Sequence, residues 1–401
     1  MILAYASSKN IKVYQMDVKS TFLNGELEED VYVEQPEGFT EKGDYVCRLR
    51  KALYGLKQAP RAWYARLDKY LHKQGFKKGS AYSYLYMKIE HENMIIIEVY
   101  VDDIIFGSDD DRLSQQFSKD MQKEFEMSLL SELRFFLRLQ ISQQKNGIFI
   151  SQSKYIKEML KRFQMEDCKP VSTPMVTSCR LRKDDTSPEV DQKLYRSMIG
   201  SLVYATTSRP DVLHAVGLVG RYQAAPRENH ILAVKRIFRY LKGTTDFGLW
   251  YRKGSKITLL AYTDADWAGD IDDRKITSGG AFLLGECLVA WLSKKQSSVS
   301  LSTTEAEYIA AGACYTQILW MKQTLEDIYV HYNEPITILC DITSAISIAK
   351  NPVMHSKTKH IPIKYHFIRE HVLEKTVKLE HIGTKDQVAD IFTKPLLRET
   401  F

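Results

Sequence analysis

The feature that most constrains this chain is a pair of adjacent aspartates inside an apolar run. Residues 95–108 read IIIEVYVDDIIFGS, with Asp102 and Asp103 between two β-branched segments. This pattern predicts two strands joined by a tight turn that carries both acids at its tip. Carboxylates held so close raise each other's pKa unless a cation lies between them, and oxygen-only ligands favour Mg²⁺ or Mn²⁺. A solvated hairpin turn remains the alternative for this stretch taken alone.

Bulk properties limit the class of protein. A chain of 401 residues exceeds what one core accommodates, so we expect two or three domains. No apolar run reaches the length of a membrane span, and residues 1–7 lack the pattern of a signal peptide, so we expect an intracellular protein with no membrane partner. The six cysteines include no Cys-x-x-Cys pair and indicate neither a disulfide framework nor a zinc site. The net charge of +6 permits a polyanionic partner without requiring one.

Further patterns place the other elements of the first half. Residues 13–18 predict a strand that contains Asp17, and Pro60 marks the start of a helix in which apolar residues recur at helical spacing. Residues 133–141 predict a single strand, and the polar, Pro-containing run 168–191 predicts a linker.

A basic stripe follows in the helical middle of the chain. Lys235, Arg239 and Lys242 recur at i, i+4 and i+7 on a face different from the apolar one. Such a stripe could lie along a phosphate backbone, and a merely solvated face is the alternative.

A second group of acids follows strand-like runs in the last third of the chain. Asp264 and Asp341 each end an apolar run, Glu305 opens a long helix, and Asp390 lies in a short helical turn that Pro395 ends. Several carboxylates on a rigid scaffold are what a pair of catalytic metal ions requires. Plainer roles remain open, because Glu305 also completes a capping box with Ser302 and Asp341 could cap the next helix.

These residues lie in segments that resemble the Pol polyprotein of Ty1/copia-type LTR retrotransposons. In the first half QMDVKSTFLNGEL, YVEQPEGF, ALYGLKQAPRAWY and YVDD, at 15–27, 32–39, 52–64 and 100–103, are similar to the reverse transcriptase. In the second half TD, STTEAEY, CDITSAI and QVADIFTKPL, at 263–264, 302–308, 340–346 and 387–396, are similar to the RNase H domain. Arg138 stands where the family usually has glycine in the strand that grips the primer.

The resemblance assigns roles to individual residues. It implies that the polymerase metals are bound by Asp17, Asp102 and Asp103, and those of RNase H by Asp264, Glu305, Asp341 and Asp390. It implies that Phe22 is the steric gate against a ribose 2′-OH and that Gln58 lies in the loop touching nucleotide and template. Asp266 and Glu307 are neighbours to which we give no role. His381 is a candidate for proton transfer in product release, with a core or surface histidine as the alternative.

The fold expected is of the α/β (α+β) class. We predict a ferredoxin-like reverse transcriptase palm at 1–150, truncated at its amino end so that the fingers are missing, a helical thumb and connection at 151–250, and an RNase H-like mixed sheet at 251–401. Basic residues would hold the duplex backbone, namely Lys235, Arg239, Lys242, Lys357, Lys359 and Arg369.

The function expected is RNA-directed DNA polymerisation with ribonuclease H cleavage, each site using two Mg²⁺ or Mn²⁺ ions. The partners implied are an RNA template, a DNA primer, an RNA–DNA hybrid and dNTPs, with a dimer or other Pol products as further candidates. The location implied is the cytoplasm, in a virus-like particle, the nucleus, or both. The alternative is a truncated relic that only binds nucleic acid or retains only RNase H cleavage.

Overall fold

The computed structural model describes residues 1–39, 45–128, 130–183, 185–266, 272–351 and 366–401. The chain divides into two compact units. The amino-terminal unit comprises Lys9–Leu133 with Gln323–Tyr329, and the carboxy-terminal unit comprises Met1–Ser8, Arg134–Lys322 and Val330–Phe401. In the ranges described, no helix combines the length and apolar character that a membrane span requires.

The amino-terminal unit is built on one antiparallel sheet. Its elements in chain order are β1 Lys12–Asp17, β2 Glu26–Glu34, β3 Val46–Lys51, α2 Ala59–Lys73, β4 Lys77–Lys78, β5 Leu85–Glu90, β6 Asn93–Tyr100, β7 Asp103–Ser108, α3 Asp111–Glu124 and β8 Ser131–Glu132. The sheet has the order β4-β5-β6-β7-β1-β8, and β2 pairs separately with β3. The succession β1-α2-β6-β7-α3-β8 in this order is the ferredoxin-like arrangement, which confirms the palm fold.

Both helices of this unit pack on one face of the sheet. Trp63 and Leu67 of α2 and Met121 of α3 are buried against Met16 and Phe106 of the central strands. Helix α2 begins where predicted because Pro60 occupies its first turn, where a missing N–H removes no helical hydrogen bond. The helices therefore fix β1 and the β6–β7 hairpin, which carry the three acids.

The carboxy-terminal unit begins with a small sheet and a helical layer. Its first elements are α1 Ile2–Ser8, β9 Phe135–Phe136, β10 Leu139–Gln144, β11 Gly147–Ser151, α4 Ser153–Arg162, α5 Gln192–Ala205, α6 Leu213–Val219, α7 Glu228–Gly243 and β12 Gly248–Arg252. Strand β11 pairs with both β10 and β12, which ties residues 139–151 to the segment after the helices. The first unit therefore ends at Leu133, whereas the sequence predicts a palm that extends to residue 150.

Two sequence predictions are modified in this region. The strand predicted over 133–141 is wrong in its middle, because Leu137 and Arg138 have φ of 48° and 63° and form a turn between β9 and β10. Between Cys168 and Asp191 the described residues form no helix or strand, as expected of a linker. Met175 and Leu181 nevertheless join the core of α4–α7, so this segment is packed against the helices.

The last part of the carboxy-terminal unit is a mixed sheet with helices. Its elements are β13 Leu259–Asp266, β14 Thr277–Leu284, β15 Cys287–Lys295, α8 Thr303–Asp327, β16 Ile336–Cys340, α9 Thr343–Lys350, α10 Phe367–Leu373 and β17 Val377–His381. The strand order is β15-β14-β13-β16-β17, and β16 runs parallel to both of its neighbours. The RNase H-like mixed sheet predicted from the sequence is confirmed by this topology.

Candidate active sites

The first site is the tip of the β6–β7 hairpin together with the end of β1. Tyr100 pairs with Asp103, which leaves Val101 and Asp102 as a two-residue loop. Asp17 lies directly opposite Asp103 across the β1–β7 pair. The structure therefore brings together the three acids expected at the first site.

The tip is held by two hydrogen bonds to its backbone. Trp63 donates from Nε1 to the carbonyl oxygen of Val101 over 2.6 Å, and Val18 donates from its backbone nitrogen to the carbonyl oxygen of Asp102 over 3.1 Å. Val101 has a φ of 56°, a conformation that costs a β-branched residue roughly 1–3 kcal/mol. A strained backbone of this kind persists because the surrounding contacts fix it.

The acids of the first site disfavour one another's charge. Burial raises the pKa of Asp17, and the carboxylate of Asp102 raises it further. Burial likewise raises the pKa of Asp103, with added contributions from Asp102 and Asp17. Because their mutual repulsion is relieved by a cation, and the donors are carboxylate oxygens, these residues fit Mg²⁺ or Mn²⁺.

A cavity of about 620 Å³ opens beside these acids. Asp17 and Asp102 line it together with Phe22 and Tyr54, whose ring centroids are 5.6 Å apart. Phe22 belongs to a short 3₁₀ turn, Thr21–Asn24, which is followed by Gly25. The backbone at Gly25 packs closely on α2, because a Cβ there would lie only 2.7 Å from the backbone nitrogen of Trp63. The expected gate residue thus borders a space of the size that small-molecule ligands occupy.

The loop before α2 contributes a residue that the sequence analysis passed over. Tyr54 is 91% exposed and, with Leu53, lines the cavity, whereas Gln58 is half-buried at the N-cap of α2. An aromatic residue next to a glycine in a loop was the available signal, because tyrosine is enriched at binding surfaces.

The second site lies at one edge of the mixed sheet. Asp264 is 4% exposed on β13, and Asp341 follows directly after β16, the parallel neighbour of β13. Asp341 does not cap α9, whose N-cap is Ile342, and its Oδ2 accepts a hydrogen bond of 3.2 Å from Thr384. Parallel pairing therefore brings both of these predicted acids to the same end of the sheet.

Helix α8 presents Glu307, not Glu305, to these acids. Glu307 Oε1 accepts a hydrogen bond of 2.8 Å from the backbone nitrogen of Ala265. A carboxylate oxygen of Glu307, a carboxylate oxygen of Asp341 and Cys340 Sγ all lie within 4.8 Å of one another. Glu305 instead accepts from the backbone nitrogen of Leu301 over 2.7 Å, while its own nitrogen donates to Ser302 Oγ. Residues i and i+2 of a helix do not share a face, so only one of the two can meet Asp264. Half of the predicted capping box is therefore present, because Ser302 accepts from the Glu305 nitrogen while the Glu305 carboxylate accepts from Leu301 instead of from Ser302.

Burial and the neighbouring charge of Asp264 make Glu307 difficult to ionise. Burial raises its pKa to about 9, and Asp264 and Asp341 contribute in the same direction. Burial also raises the pKa of Asp266 to about 6, with Lys394 opposing the shift and Asp264 adding to it. A cation at this position would allow the clustered acids to remain charged together.

Asp390 reaches the same cluster from the 3₁₀ turn Val388–Phe392. Burial raises its pKa to about 6; the hydrogen bond from Lys394 lowers it and the charge of Asp264 raises it. The turn packs on Gly279, the partner of Asp264 across β13 and β14, where a Cβ would lie 2.6 Å from Thr393 Cγ2.

Two carboxylate oxygens of the second site are available to coordinate a metal ion. Among the described residues, Asp341 Oδ1 and Asp390 Oδ1 are buried side-chain oxygens without a hydrogen-bond partner. Buried oxygens of this kind are costly unless a ligand completes their coordination. Carboxylate oxygens are also the donors that Mg²⁺ and Mn²⁺ prefer.

The predicted basic residues have different environments. Arg369 is 7% exposed, donates to the carbonyl oxygen of Ile348 and lies over the Tyr308 ring, so its expected role on the duplex backbone is wrong. Arg239 donates to the carbonyl oxygen of Lys169 over 2.7 Å, whereas Lys235 is exposed and Lys242 half-buried. Lys357 and Lys359 lie outside the described residues. His381 is exposed at the end of β17.

The whole chain is similar to proteins of known sequence. Residues 1–177 match the family model described as reverse transcriptase (RNA-dependent DNA polymerase). The chain is 42% identical over its full length to the retrovirus-related Pol polyprotein from transposon TNT 1-94 of Nicotiana tabacum, and 40% identical to that from transposon RE1 of Arabidopsis thaliana. It is also 35% identical to the putative transposon Ty5-1 protein YCL074W of Saccharomyces cerevisiae, covering 100% of that protein with 76% of its own length. The chain belongs to the reverse transcriptase family of copia-type retrotransposons.

The chain spans 31% of the tobacco polyprotein and 28% of the Arabidopsis RE1 polyprotein. The family assignment agrees with the resemblance found from the sequence motifs alone.

Proposed function

We propose that the first site extends a DNA primer on an RNA template with dNTPs, and that the second site cuts the RNA strand of an RNA–DNA hybrid. The observation that carries the first half is the register that puts Asp17 opposite Asp103 beside the cavity lined by Phe22 and Tyr54. The second half is supported by the gathering of Asp264, Glu307, Asp341 and Asp390 at one sheet edge.

At the first site, Asp17, Asp102 and Asp103 would hold two Mg²⁺ or Mn²⁺ ions. Such ions, when bound, lower the pKa of the attacking hydroxyl and stabilise charge on the leaving oxygen. The protein's own part is to keep the carboxylates fixed, which Trp63 and Val18 do through the backbone of the tip. The Phe22 ring would exclude the 2′-OH of a ribonucleotide from the cavity.

At the second site we propose Glu307 in place of Glu305 as the carboxylate contributed by α8. Asp264, Glu307, Asp341 and Asp390 would then hold the metal ions, which supply an activated water. Hydrogen bonds to the ligands keep them in place: Ala265 donates to Glu307 and Thr384 to Asp341.

Two assays test these activities on the full chain. Primer extension on poly(rA) with oligo(dT) and Mg²⁺ or Mn²⁺ is expected for the wild type and lost in Asp102→Asn. Cleavage of a labelled RNA–DNA hybrid is expected for the wild type and lost in Asp264→Asn. Each variant is the folding control for the other, because each should retain the activity of the other unit.

Other outcomes would change the proposal in defined ways. Hybrid cleavage without primer extension would support the alternative, a chain that retains only RNase H activity. Metal-independent binding of the hybrid with neither reaction would support a nucleic-acid-binding relic. If an activity survives the substitution in its own site, that site is wrongly assigned.

We propose that the protein works inside the cell, in cytoplasmic virus-like particles or the nucleus, where the element RNA is copied. Fractionation of cells that express a tagged chain, followed by detection of the element RNA in the same fraction, tests this location.

A further inference from the structure

Lys394 places a positive charge among the carboxylates of the second site. Its Nζ lies 2.9 Å from Oδ2 of Asp390, four residues earlier in the chain. The same ammonium group interacts electrostatically with Asp264 and Asp266. The lysine is therefore part of the acid cluster and not a surface charge that happens to lie nearby.

The backbone around Lys394 fixes this placement. The backbone nitrogen of Lys394 donates to the carbonyl oxygen of Asp390 over 3.2 Å, which continues the turn by one residue. The preceding residue, Thr393, is fully buried, and its hydroxyl donates to Oδ2 of Asp264. The dipeptide thus delivers a hydroxyl donor to one acid and an ammonium group to another.

The two oxygens of Asp390 have unlike surroundings. Oδ2 faces the ammonium group of Lys394, whereas Oδ1 is buried and, within the described part of the chain, lacks a hydrogen-bond partner. A divalent ion that binds Asp390 beside Asp264 must share the carboxylate with a positive charge already attached to it. Two positive charges on one carboxylate repel each other, and this repulsion is stronger where water is partly excluded.

We propose that Lys394 is a tethered cation that competes with the divalent metal ion for Asp390 and so weakens metal binding at the second site. The inference rests on the proposed metal-dependent function of that site. Lys394 is a positioning residue in this view: it acts on the metal through the Asp390 carboxylate. A phosphate group of the bound nucleic acid would offer the ammonium group another partner, so metal affinity should be lowest when nucleic acid is absent.

The test measures Mn²⁺ binding by the full chain without nucleic acid, by the loss of the free-Mn²⁺ EPR signal. The background carries Asp102→Asn and Asp103→Asn, so that binding at the first site does not contribute. Lys394→Met in this background is expected to bind Mn²⁺ roughly 3- to 10-fold more tightly than the background chain, as expected for removing a partly exposed ion pair and a like charge. Lys394→Arg keeps the charge and should bind as the background does.

Lys378→Met is the matched control. Lys378 pairs with Glu380 at 2.8 Å on β17, so this variant also frees one carboxylate from a lysine, away from the cluster. It should leave Mn²⁺ affinity unchanged. Circular dichroism and thermal melting of each variant verify that the fold is retained.

The outcomes separate this inference from the proposed function. Equal or weaker Mn²⁺ binding by Lys394→Met overturns the inference, as does an equal gain in Lys378→Met. Asp264→Asn in the same background should abolish binding; if it does not, the second site itself is wrongly assigned. Loss in Asp264→Asn together with no gain in Lys394→Met leaves the site standing and rejects only the competition.

Discussion

Trp63 donates a hydrogen bond from its indole nitrogen to the carbonyl oxygen of Val101, 2.6 Å away. Trp63 is 1% exposed in α2, and Val101 is the strained residue between the sheet and Asp102. The helix therefore fixes the backbone that carries two of the three acids of the first site. Packing beneath the sheet and geometry at its edge are linked through this one bond.

Trp63→Phe is expected to lower primer extension more than it lowers stability. The smaller ring leaves part of the core unfilled, the lost hydrogen bond costs about 1 kcal/mol more of unfolding free energy, and the tip is left free to relax. A displacement of the acids should reduce kcat roughly tenfold or more. Tyr70→Phe, at another position of α2, removes a hydrogen bond to the backbone carbonyl oxygen of Asp120 in α3 and should keep normal kcat. Equal kcat values for the two variants would contradict this role for Trp63.

Glu307→Gln and Glu305→Gln should separate the two acids of α8. Glu307→Gln is expected to reduce hybrid cleavage by a factor of about 100 or more. Loss of a residue that only supports a metal ligand typically reduces activity by about 10- to 100-fold, so loss of a ligand should reach at least the upper end of that range. Glu305→Gln should cleave within about threefold of wild type, since the amide oxygen of glutamine can accept the same hydrogen bond from the Leu301 nitrogen. Single-turnover hybrid cleavage measures both. The reverse order of effects would restore Glu305 to the site.

Tyr54→Ala should weaken nucleotide binding at the first site. The exposed ring beside Phe22 offers a bound nucleotide contact area, and an aromatic contact with the base would be worth about 0.5–1.5 kcal/mol. We therefore expect the KM for dTTP to rise roughly two- to tenfold with kcat little changed, in steady-state extension on poly(rA). Tyr45→Ala, at another exposed tyrosine, is the control and should leave KM as it is. An unchanged KM for Tyr54→Ala would remove this residue from the cavity's function.

Arg138→Gly should stabilise the carboxy-terminal unit. Arg138 has a φ of 63°, which strains a residue with a Cβ and suits glycine, so relief of about 1 kcal/mol is expected. The glycine that the sequence resemblance implies for this position would suit the observed backbone. Arg134 lies four residues earlier and is not among the described residues with positive φ. Arg134→Gly should therefore destabilise the unit instead. Urea unfolding of both variants distinguishes strain relief from a general effect of glycine.

Acid should destabilise the carboxy-terminal unit through His214. Burial, helped by the charge of Arg221 and opposed by the backbone of Phe392, lowers the pKa of His214 to about 4. The His214 imidazole binds a proton below about pH 6.5 in the unfolded chain and only below about pH 4 in the folded chain. Its contribution to the free energy of unfolding is therefore fully present above about pH 6.5 and is lost as the pH drops towards about 4.

The contribution of His214 to the free energy of unfolding is expected to fall by about 2 kcal/mol between pH 7 and pH 5. Urea unfolding of the wild type and of His214→Leu at both pH values measures this contribution as the difference between their pH dependences, because the acids whose pKa burial raises, Asp266, Glu307 and Asp390, are common to both chains. The exposed His331 is the control, because His331→Leu should leave the pH dependence of wild type. The same pH dependence in His214→Leu as in the wild type would contradict the role of His214.

The strands and helices near the first site could be predicted because the local signals agree with the final packing. The apolar arms around Asp102 and Asp103 favour a hairpin whatever they pack on, and Pro60 favours a helix start. The turn at Leu137 and Arg138 could not be predicted, because neither residue favours positive φ and the connection to β10 imposes it.

The candidate sites show the same division. Residue chemistry and order were enough to find Asp17, Asp264 and Asp390, since each acid follows an apolar run or a turn signal. The motif at 302–308 contains two glutamates, and both satisfy the local pattern. Which one meets Asp264 depends on the rotation of α8 against β13, and rotation is set by the packed face of the whole helix.

The sequence by itself determined the kinds of element, the family and most of the acids, because these follow from local periodicity and from residue types in a fixed order. Tertiary structure alone decided that Glu307 joins the cluster, that Arg369 is buried, and that Lys394 lies on Asp390. The physical reason is that carboxylates and cations act over a few ångströms, and contacts at that range between distant segments arise only when strands pair and helices pack.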